Sequence, residues 1–397
     1  MKLQILVCGA GIVGLSCALA LARKGQRVAV LAPRNDVPAA QSDVYHPRVY
    51  AISPASQRLL DELGVWQMLP SARIAPVQAM EICGDGDGRV DLHAWQAARE
   101  NLAWIVESGE IERVLIQAVR MFGIEWLDDR CEGWLEGDGP HKQGGVVVTA
   151  AGRRMQADLF VGADGAASRL RESAGIRHQS RSYQDTGLVT HLDAERPHQG
   201  TALQWFREDG VLALLPLPDT AVGPQVSMVW SMREAQAEAL LGMPRTEQAA
   251  ELERRLAHAA QGRLGMLRVR SALHGFPLSL DQAQMTGPGI ALVGDAAHRV
   301  HPLAGQGLNL GLGDVQALSE AVSRRERFRA AGDARVLRRY QRARAEPVLA
   351  MRLATDGLHR LFGAQAAPLA WLRNAGMRWV DALPFVKRQL IEGASRN

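Results

Sequence analysis

The first 31 residues do most to restrict what this chain can fold into. Residues 3–7 form a short apolar run of strand character, Gly9-Ala10-Gly11-Ile12-Val13-Gly14 follows, residues 15–24 read as a helix stopped by Gly25, and residues 26–31 read as a second strand. A lone GxGxxG pattern is weak, but inside a complete strand–helix–strand unit it is specific. Gly9 permits the tight turn, Gly11 lets a pyrophosphate approach the backbone, and Gly14 lets helix and strand pack closely. Two strands joined by a helical crossover lie parallel in one sheet. The expectation is therefore an α/β chain with a Rossmann-like dinucleotide-binding domain. One lysine, an apolar run and small residues also give positions 1–22 the look of a secretory leader, but the glycine spacing inside the run argues against it.

One part of that unit is missing. An acid at the end of the second strand would ordinarily hold the adenosine ribose, and here the position is Ala32. Arg34, Asp36 or the main chain are the candidates to take over.

Residues 290–314, IALVGDAAHRVHPLAGQGLNLGLGD, carry a second strand–turn–helix. An apolar run ends in Gly294-Asp295, and a turn containing Pro302, Gly305 and Gly307 opens a helix at about Leu308. The Asp295 carboxylate is placed to accept hydrogen bonds from a polyol, while the 305–309 amides and the helix dipole suit an anion. Flavin adenine dinucleotide (FAD) offers both, in its ribityl chain and its reduced ring. A third strand end, residues 157–171, runs into Asp164-Gly165 and another helix start. Asp164 either caps that helix or faces the cofactor; one bound dinucleotide would need several such strand ends, which favours the second role.

Composition narrows the function classes. The 47% hydrophobic and 22% charged content is that of a soluble globular protein, and a net charge of +4 is too small to imply nucleic acid. Cys8, Cys17, Cys83 and Cys131 form no CxxC pair and no metal-ligand spacing, which fits a metal-free protein of a reducing, cytoplasmic compartment. No uninterrupted run of about 18 apolar residues is available to span a bilayer. The local exception is the basic segment 323–344, where nine arginines face Glu326 and Asp333. It reads as a solvated helix face or as a surface for an acidic partner.

The motifs resemble those of the flavin-dependent aromatic hydroxylases related to para-hydroxybenzoate hydroxylase, and within them the ring hydroxylases of ubiquinone biosynthesis. The resemblance spans nearly the whole chain. It rests on GAGIVG (9–14), PRVYAISPASQRLLDELGVW (47–66), GADGAASRLR (162–171), LALLPLPD (212–219) with SMVWS (227–231), and GDAAHRVHPLAGQGLNLGLGD (294–314). It implies non-covalent FAD, with Gly9, Gly11 and Gly14 at the pyrophosphate and Arg48 beside the cofactor. Asp164 would lie in a motif near the FAD and nicotinamide phosphates. Gly294-Asp295 would lie at the ribityl hydroxyls, and Pro302, Gly305, Gly307, Leu308 and Asn309 at the flavin ring. The chain departs from the family at Ala32, at His46 (usually Asp) and at Ser108-Gly109 (often Asn-Arg), all on the cofactor side.

The resemblance also implies the chemistry. NAD(P)H, bound transiently because no second GxGxxG exists, reduces the flavin; oxygen adds at C4a and the hydroperoxide delivers hydroxyl to a simple or polyprenylated phenol. No base can be named from sequence: His298 and His301 flank the ring-facing turn, and His301 reads better as a lining residue. Alternatives are a flavin oxidoreductase that does not hydroxylate, such as a prenyl reductase, and an FAD-binding scaffold in a biosynthetic complex. The halogenase signature WxWxIP is absent.

Alternating runs at 187–192, 201–206, 211–215 and 225–230 predict an antiparallel sheet, which the resemblance makes the substrate roof. Strands at 104–107 and 144–150 and helices at 111–122 and 234–260 complete the reading. The expected organisation is an FAD-binding domain from 1–178 and 272–345, an inserted antiparallel-sheet substrate domain at 179–271, and a helical C-terminus at 346–397. The C-terminal apolar stripe, Leu353 to Val386, is expected to pack on the core or to offer a greasy surface. With the basic segment, such a surface predicts peripheral association with the inner face of an anionic membrane, or with a biosynthetic partner.

Overall fold

The computed structural model describes residues 3–35, 37–39, 43–84, 86, 88–136, 145–207, 210–300, 307–363, 377, 381 and 383–395. The N-terminal unit folds as its spacing predicts: strand Leu3–Cys8, helix Ile12–Arg23, strand Val28–Leu31. All four residues of the second strand are buried, as expected of a parallel strand covered on both faces.

The first sheet runs, edge to edge, Glu125–Leu127, Val28–Leu31, Leu3–Cys8, Arg154–Gly162, Ile290–Leu292 and Thr286–Gly287. The first five are parallel throughout. Leu3–Cys8 sits centrally, with the chain crossing to one side for Val28–Leu31 and to the other for Arg154–Gly162. The order reverses there, so the crevice above its carboxyl end is where an open α/β sheet binds ligands. Backbone bonds stitch this edge together: Ala163 N–H donates to Cys8 O (2.8 Å), Val293 N–H to Gly162 O (3.0 Å), and Gly9 N–H to Leu31 O (3.0 Å).

The second sheet has nine strands. His178–Ala194, Gly223–Arg233, Gly210–Thr220 and Thr201–Arg207 are its antiparallel centre, at the four places where alternation predicted strands. It is larger than the 179–271 segment, because Ala79–Cys83, Arg89–His93 and His274–Ala283 join it from both expected portions of the FAD domain. Ala79–Cys83 pairs in parallel with Thr201–Arg207, a partner more than 100 residues away that no local pattern reveals.

The two faces of this sheet differ. Val226, Met228, Trp230 and Met232 point to one side and pack with Leu240, Leu252 and Leu256 of the covering helices. Those helices are Glu234–Leu241 and Arg245–Ala259, not the single helix expected over 234–260. Pro244 lacks an N–H and biases the preceding residue away from helical geometry, so the chain breaks there. The opposite face presents Ala202, Ala213, Leu215 and Leu217 to Tyr45, Val49, Val77 and Ile105. The last three belong to a small sheet of Val49–Ile52, Ala103–Glu107 and Ile74–Val77.

Helix Gly307–Ser323 runs close against helix Ile12–Arg23 and against the long helix Ala334–Gly363. A final helix, Pro384–Ser395, packs Ile391 with Val90 and Leu92 of the larger sheet.

Candidate active site: a cofactor cleft under a sheet roof

The glycines of the first motif have distinct physical duties. Gly9 has φ +116°, and a Cβ there would lie 2.2 Å from Ala163 O; a Cβ on Gly14 would lie 2.3 Å from Gly9 O. Both are required by protein packing. Gly11 is exposed, and a Cβ there would meet nothing within 4 Å. It leaves open backbone at the N-terminus of helix Ile12–Arg23, as a pyrophosphate needs.

Gly294 turns the chain at φ +60°, against Val13. The next residue, Asp295, is solvent-accessible yet has protein on most sides, the situation of a cleft wall. Desolvation raises its carboxyl pKa, against the opposing pull of Arg48, Arg299 and His298. No group among the described residues hydrogen-bonds to it. Asp164 divides its two oxygens: Oδ2 accepts from Leu170 N–H at 3.2 Å, and Oδ1 is buried without a partner among the described residues. Helix Arg169–Ser173 has its N-cap in Ser168, so Asp164 is not needed as the sole cap. Its orphaned oxygen, the open backbone at Gly11 and the unpartnered Asp295 all follow strand ends at the carboxyl edge of the first sheet, and their chemistry fits the phosphates and polyol of a flavin dinucleotide.

Arg48 is exposed, with its guanidinium 5.2 Å from the Tyr50 ring and 5.5 Å from the Phe276 ring. Arg34 is exposed, with its backbone N–H held by Asp128 Oδ1 at 3.0 Å. His301, Pro302 and Gly305 lie outside the described residues. Gly307 opens its helix with free space at its Cβ position. Leu308 is buried in the core, and the Asn309 side chain accepts from Ser53 N–H (2.9 Å) and donates to Ala51 O (2.8 Å). Asn309 thus secures the strand bearing Tyr50, leaving only backbone at 307–309 to face a ligand. Gly311 also has a packing reason: a Cβ there would lie 2.8 Å from Val13 Cγ2.

The three cofactor-side departures at 46, 108 and 109 form one local solution. A Cβ on Gly109 would lie 2.8 Å from His46 Cδ2, and Ser108 Oγ lies 2.9 Å from His46 Nδ1. Arg48 N–H also donates to Nδ1 (3.3 Å), which places the imidazole proton on Nε2. His46 therefore fills the volume that a side chain at 109 would take. Below it, Glu107 is buried and paired with Arg73 at 2.8 Å.

Sequence reasoning missed several residues that build the site. Asp314, wholly buried, accepts from Gly294 N–H (2.9 Å) and Arg344 Nε (2.7 Å), and its Oδ2 lies 2.8 Å from His298 Nε2. It fixes the turn that presents Asp295, and it gives His298 a structural role. Arg171 donates to Ala296 O (3.0 Å) and Ala166 O (2.7 Å), tying two of the strand ends together. On the roof, His191 and Ser227 are cross-strand neighbours on the face that carries Leu215 and Val229. His191 donates from Nε2 to His46 O at 2.9 Å, and burial lowers its pKa, so the ring is neutral with an unprotonated Nδ1. That nitrogen and Ser227 Oγ are both buried without a partner among the described residues. Only the pairing of strands far apart in sequence brings these two together.

A parallel sheet with a glycine-rich turn at three strand ends of its carboxyl edge, beside a second large sheet, is the architecture of a flavin-dinucleotide protein. The chain belongs to the FAD binding domain family, which matches residues 2–353, and FAD is its cofactor. It is 35% identical over 98% of its length to ubiquinone hydroxylase UbiL of Rhodospirillum rubrum, covering 89% of that protein. It is 33% identical to 3-demethoxyubiquinol 3-hydroxylase of Escherichia coli, covering 98% of each chain. The resemblance carried by the five motifs is borne out by these relatives. In fold it matches the crystal structure of p-nitrophenol 4-monooxygenase from Pseudomonas putida, with TM-score 0.77, 18% identity, and coverage of 99% of this chain and 98% of that one.

Proposed function

We propose that this chain is an FAD-dependent monooxygenase that hydroxylates the ring of a phenol, polyprenylated in ubiquinone biosynthesis, with NAD(P)H and O2 as co-substrates. The observation that carries the reading is the cofactor cleft around Asp295 beneath a largely apolar sheet face, in a chain a third identical to two named ubiquinone-pathway hydroxylases. Bound FAD supplies the redox and oxygen-activating chemistry that side chains lack. The chain binds and orients it: Gly11 receives the pyrophosphate, Asp295 the ribityl hydroxyls, and the 307–309 backbone the anionic side of the ring. Ala213, Leu215 and Leu217 on the roof's inner face pack against the small sheet and close that side to water. Neutral His191, an acceptor at Nδ1, and Ser227 Oγ–H supply the polar contacts that orient a ring hydroxyl.

A prenylated substrate must be drawn from a lipid surface or a presenting partner. No helix among the described residues is long and apolar enough to cross a membrane. Much of the arginine-rich segment is consumed internally: Arg324, Arg329, Arg339 and Arg344 are in ion pairs, and Arg325 binds carbonyls. What remains is ordered, because Arg338, Arg342, Leu349 and Leu353 are exposed and recur at helical spacing along one face of Ala334–Gly363. Basic residues at one end and leucines at the other suit peripheral contact with an anionic bilayer.

The test is substrate-stimulated NAD(P)H oxidation by the purified protein under isotopically labelled O2, with mass spectrometry of the product. Incorporation of one labelled oxygen atom into the ring is the expected result. Oxidation without oxygen transfer would favour the non-hydroxylating oxidoreductase, and bound flavin with no NAD(P)H oxidation would favour the FAD-binding scaffold.

A further inference from the structure

Ala32 stands where a ribose-binding acid is expected, and it is buried with both backbone groups committed. Its N–H donates to Leu127 O at 3.2 Å, and its carbonyl accepts the Trp126 indole N–H at 2.9 Å. Both bonds come from the neighbouring strand, Glu125–Leu127, which runs parallel to Val28–Leu31 with Leu127 in register with Leu31. The residue after Leu127 is Asp128, so a carboxylate sits at the same level of the sheet's carboxyl edge, one strand over. With the pyrophosphate of FAD at Gly11 and its flavin half toward Asp295, as the proposed function has it, this would be the adenosine side.

Asp128 is exposed at this edge. Its Oδ1 accepts Arg34 N–H at 3.0 Å, which fixes the loop leaving the second strand; its Oδ2 has no partner among the described residues. The next acid, Asp129, is occupied: it binds Arg153 at 2.9 Å, Arg130 N–H at 2.8 Å and Ala151 N–H at 3.4 Å. We propose that Asp128 does the work of the absent acid, accepting a hydrogen bond at Oδ2 from the adenosine ribose of FAD. The carboxylate has moved to the adjacent strand. This rests on FAD as the cofactor and assigns a binding residue that the strand–helix–strand pattern does not contain.

The experiment titrates apoprotein with FAD, and with FAD carrying 2′-deoxyadenosine, following flavin fluorescence. Wild-type protein should prefer FAD over the deoxy analogue by roughly tenfold or more, the range of a charge-assisted hydrogen bond. Asp128→Ala should lose a similar factor for FAD and show no preference, with Asp128→Asn intermediate as the isosteric check on folding. Adding Ala32→Glu to Asp128→Ala should restore both affinity and preference, whereas Ala32→Glu alone should gain under threefold. If Asp128→Ala keeps wild-type FAD affinity, or weakens FAD and the deoxy analogue equally, the assignment is overturned. Wild-type protein that fails to bind FAD would instead overturn the cofactor itself.

Discussion

Removing the Asp314 carboxylate should destabilise the protein and empty its cofactor site together. Asp314 is fully buried, accepts from a backbone N–H and a guanidinium, and lies beside an imidazole. Asp314→Ala leaves Arg344, itself buried, without its counter-charge, and leaves Gly294 N–H unsatisfied. Two charge-assisted bonds at about 1.5–3 kcal/mol each, with the His298 contact beside them, share one acceptor and are not additive. Removing one partner of a buried pair costs about 3–5 kcal/mol, which is the figure to use. At about 2.1 cal/mol/K of unfolding entropy per residue, a chain of 397 residues shifts by roughly 1.2 °C per kcal/mol, so melting should fall by about 4–6 °C. pH adds an independent check. Burial opposes ionisation of Asp314, but His298, Arg344 and Gly294 N–H outweigh it and hold the carboxyl below its usual value. A depressed carboxyl contributes stability that is complete above its unfolded value, about 3.9, and is lost as pH falls through the lower folded value. Wild-type melting should therefore drop below about pH 4, and Asp314→Asn should drop less steeply. Scanning calorimetry and flavin content measure both effects. An Asp314→Ala protein that melts within about 1 °C of wild type with full flavin would refute the reasoning.

Asp295→Ala should act on binding alone: FAD affinity should fall by the roughly 1.5–3 kcal/mol of a charge-assisted acceptor, while the apoprotein melts unchanged. Full yellow occupancy in that variant would remove Asp295 from the site. Gly311→Ala should cost about 1–3 kcal/mol by overpacking against Val13 and Gly294. Val13→Ala in the same chain should recover part of that loss in thermal melts, and no recovery would place the strain elsewhere.

The strand–turn–acid segments at Gly9, Asp164 and Asp295 were readable one by one, because turn chemistry, glycine spacing and apolar period are local properties of the chain. So were the four alternating strands of the roof, whose period of two survives without knowledge of their partners. Other roles depend on what stands opposite. Gly311 lies in the same glycine-rich run and proves to admit Val13; Asn309 reads as a flavin contact and proves to hold Ala51 and Ser53. His46 and Gly109 read as two separate departures and occupy one volume. Joining 79–93 to the roof needed a parallel pair across more than 100 residues, and pairing His191 with Ser227 needed a cross-strand register. The sequence by itself determined the cofactor class and the elements that face it, because each needs only a few neighbouring residues. Tertiary structure decided which of those residues are left open and which hold each other, since a side chain's partner is set by packing between segments that the local pattern does not connect.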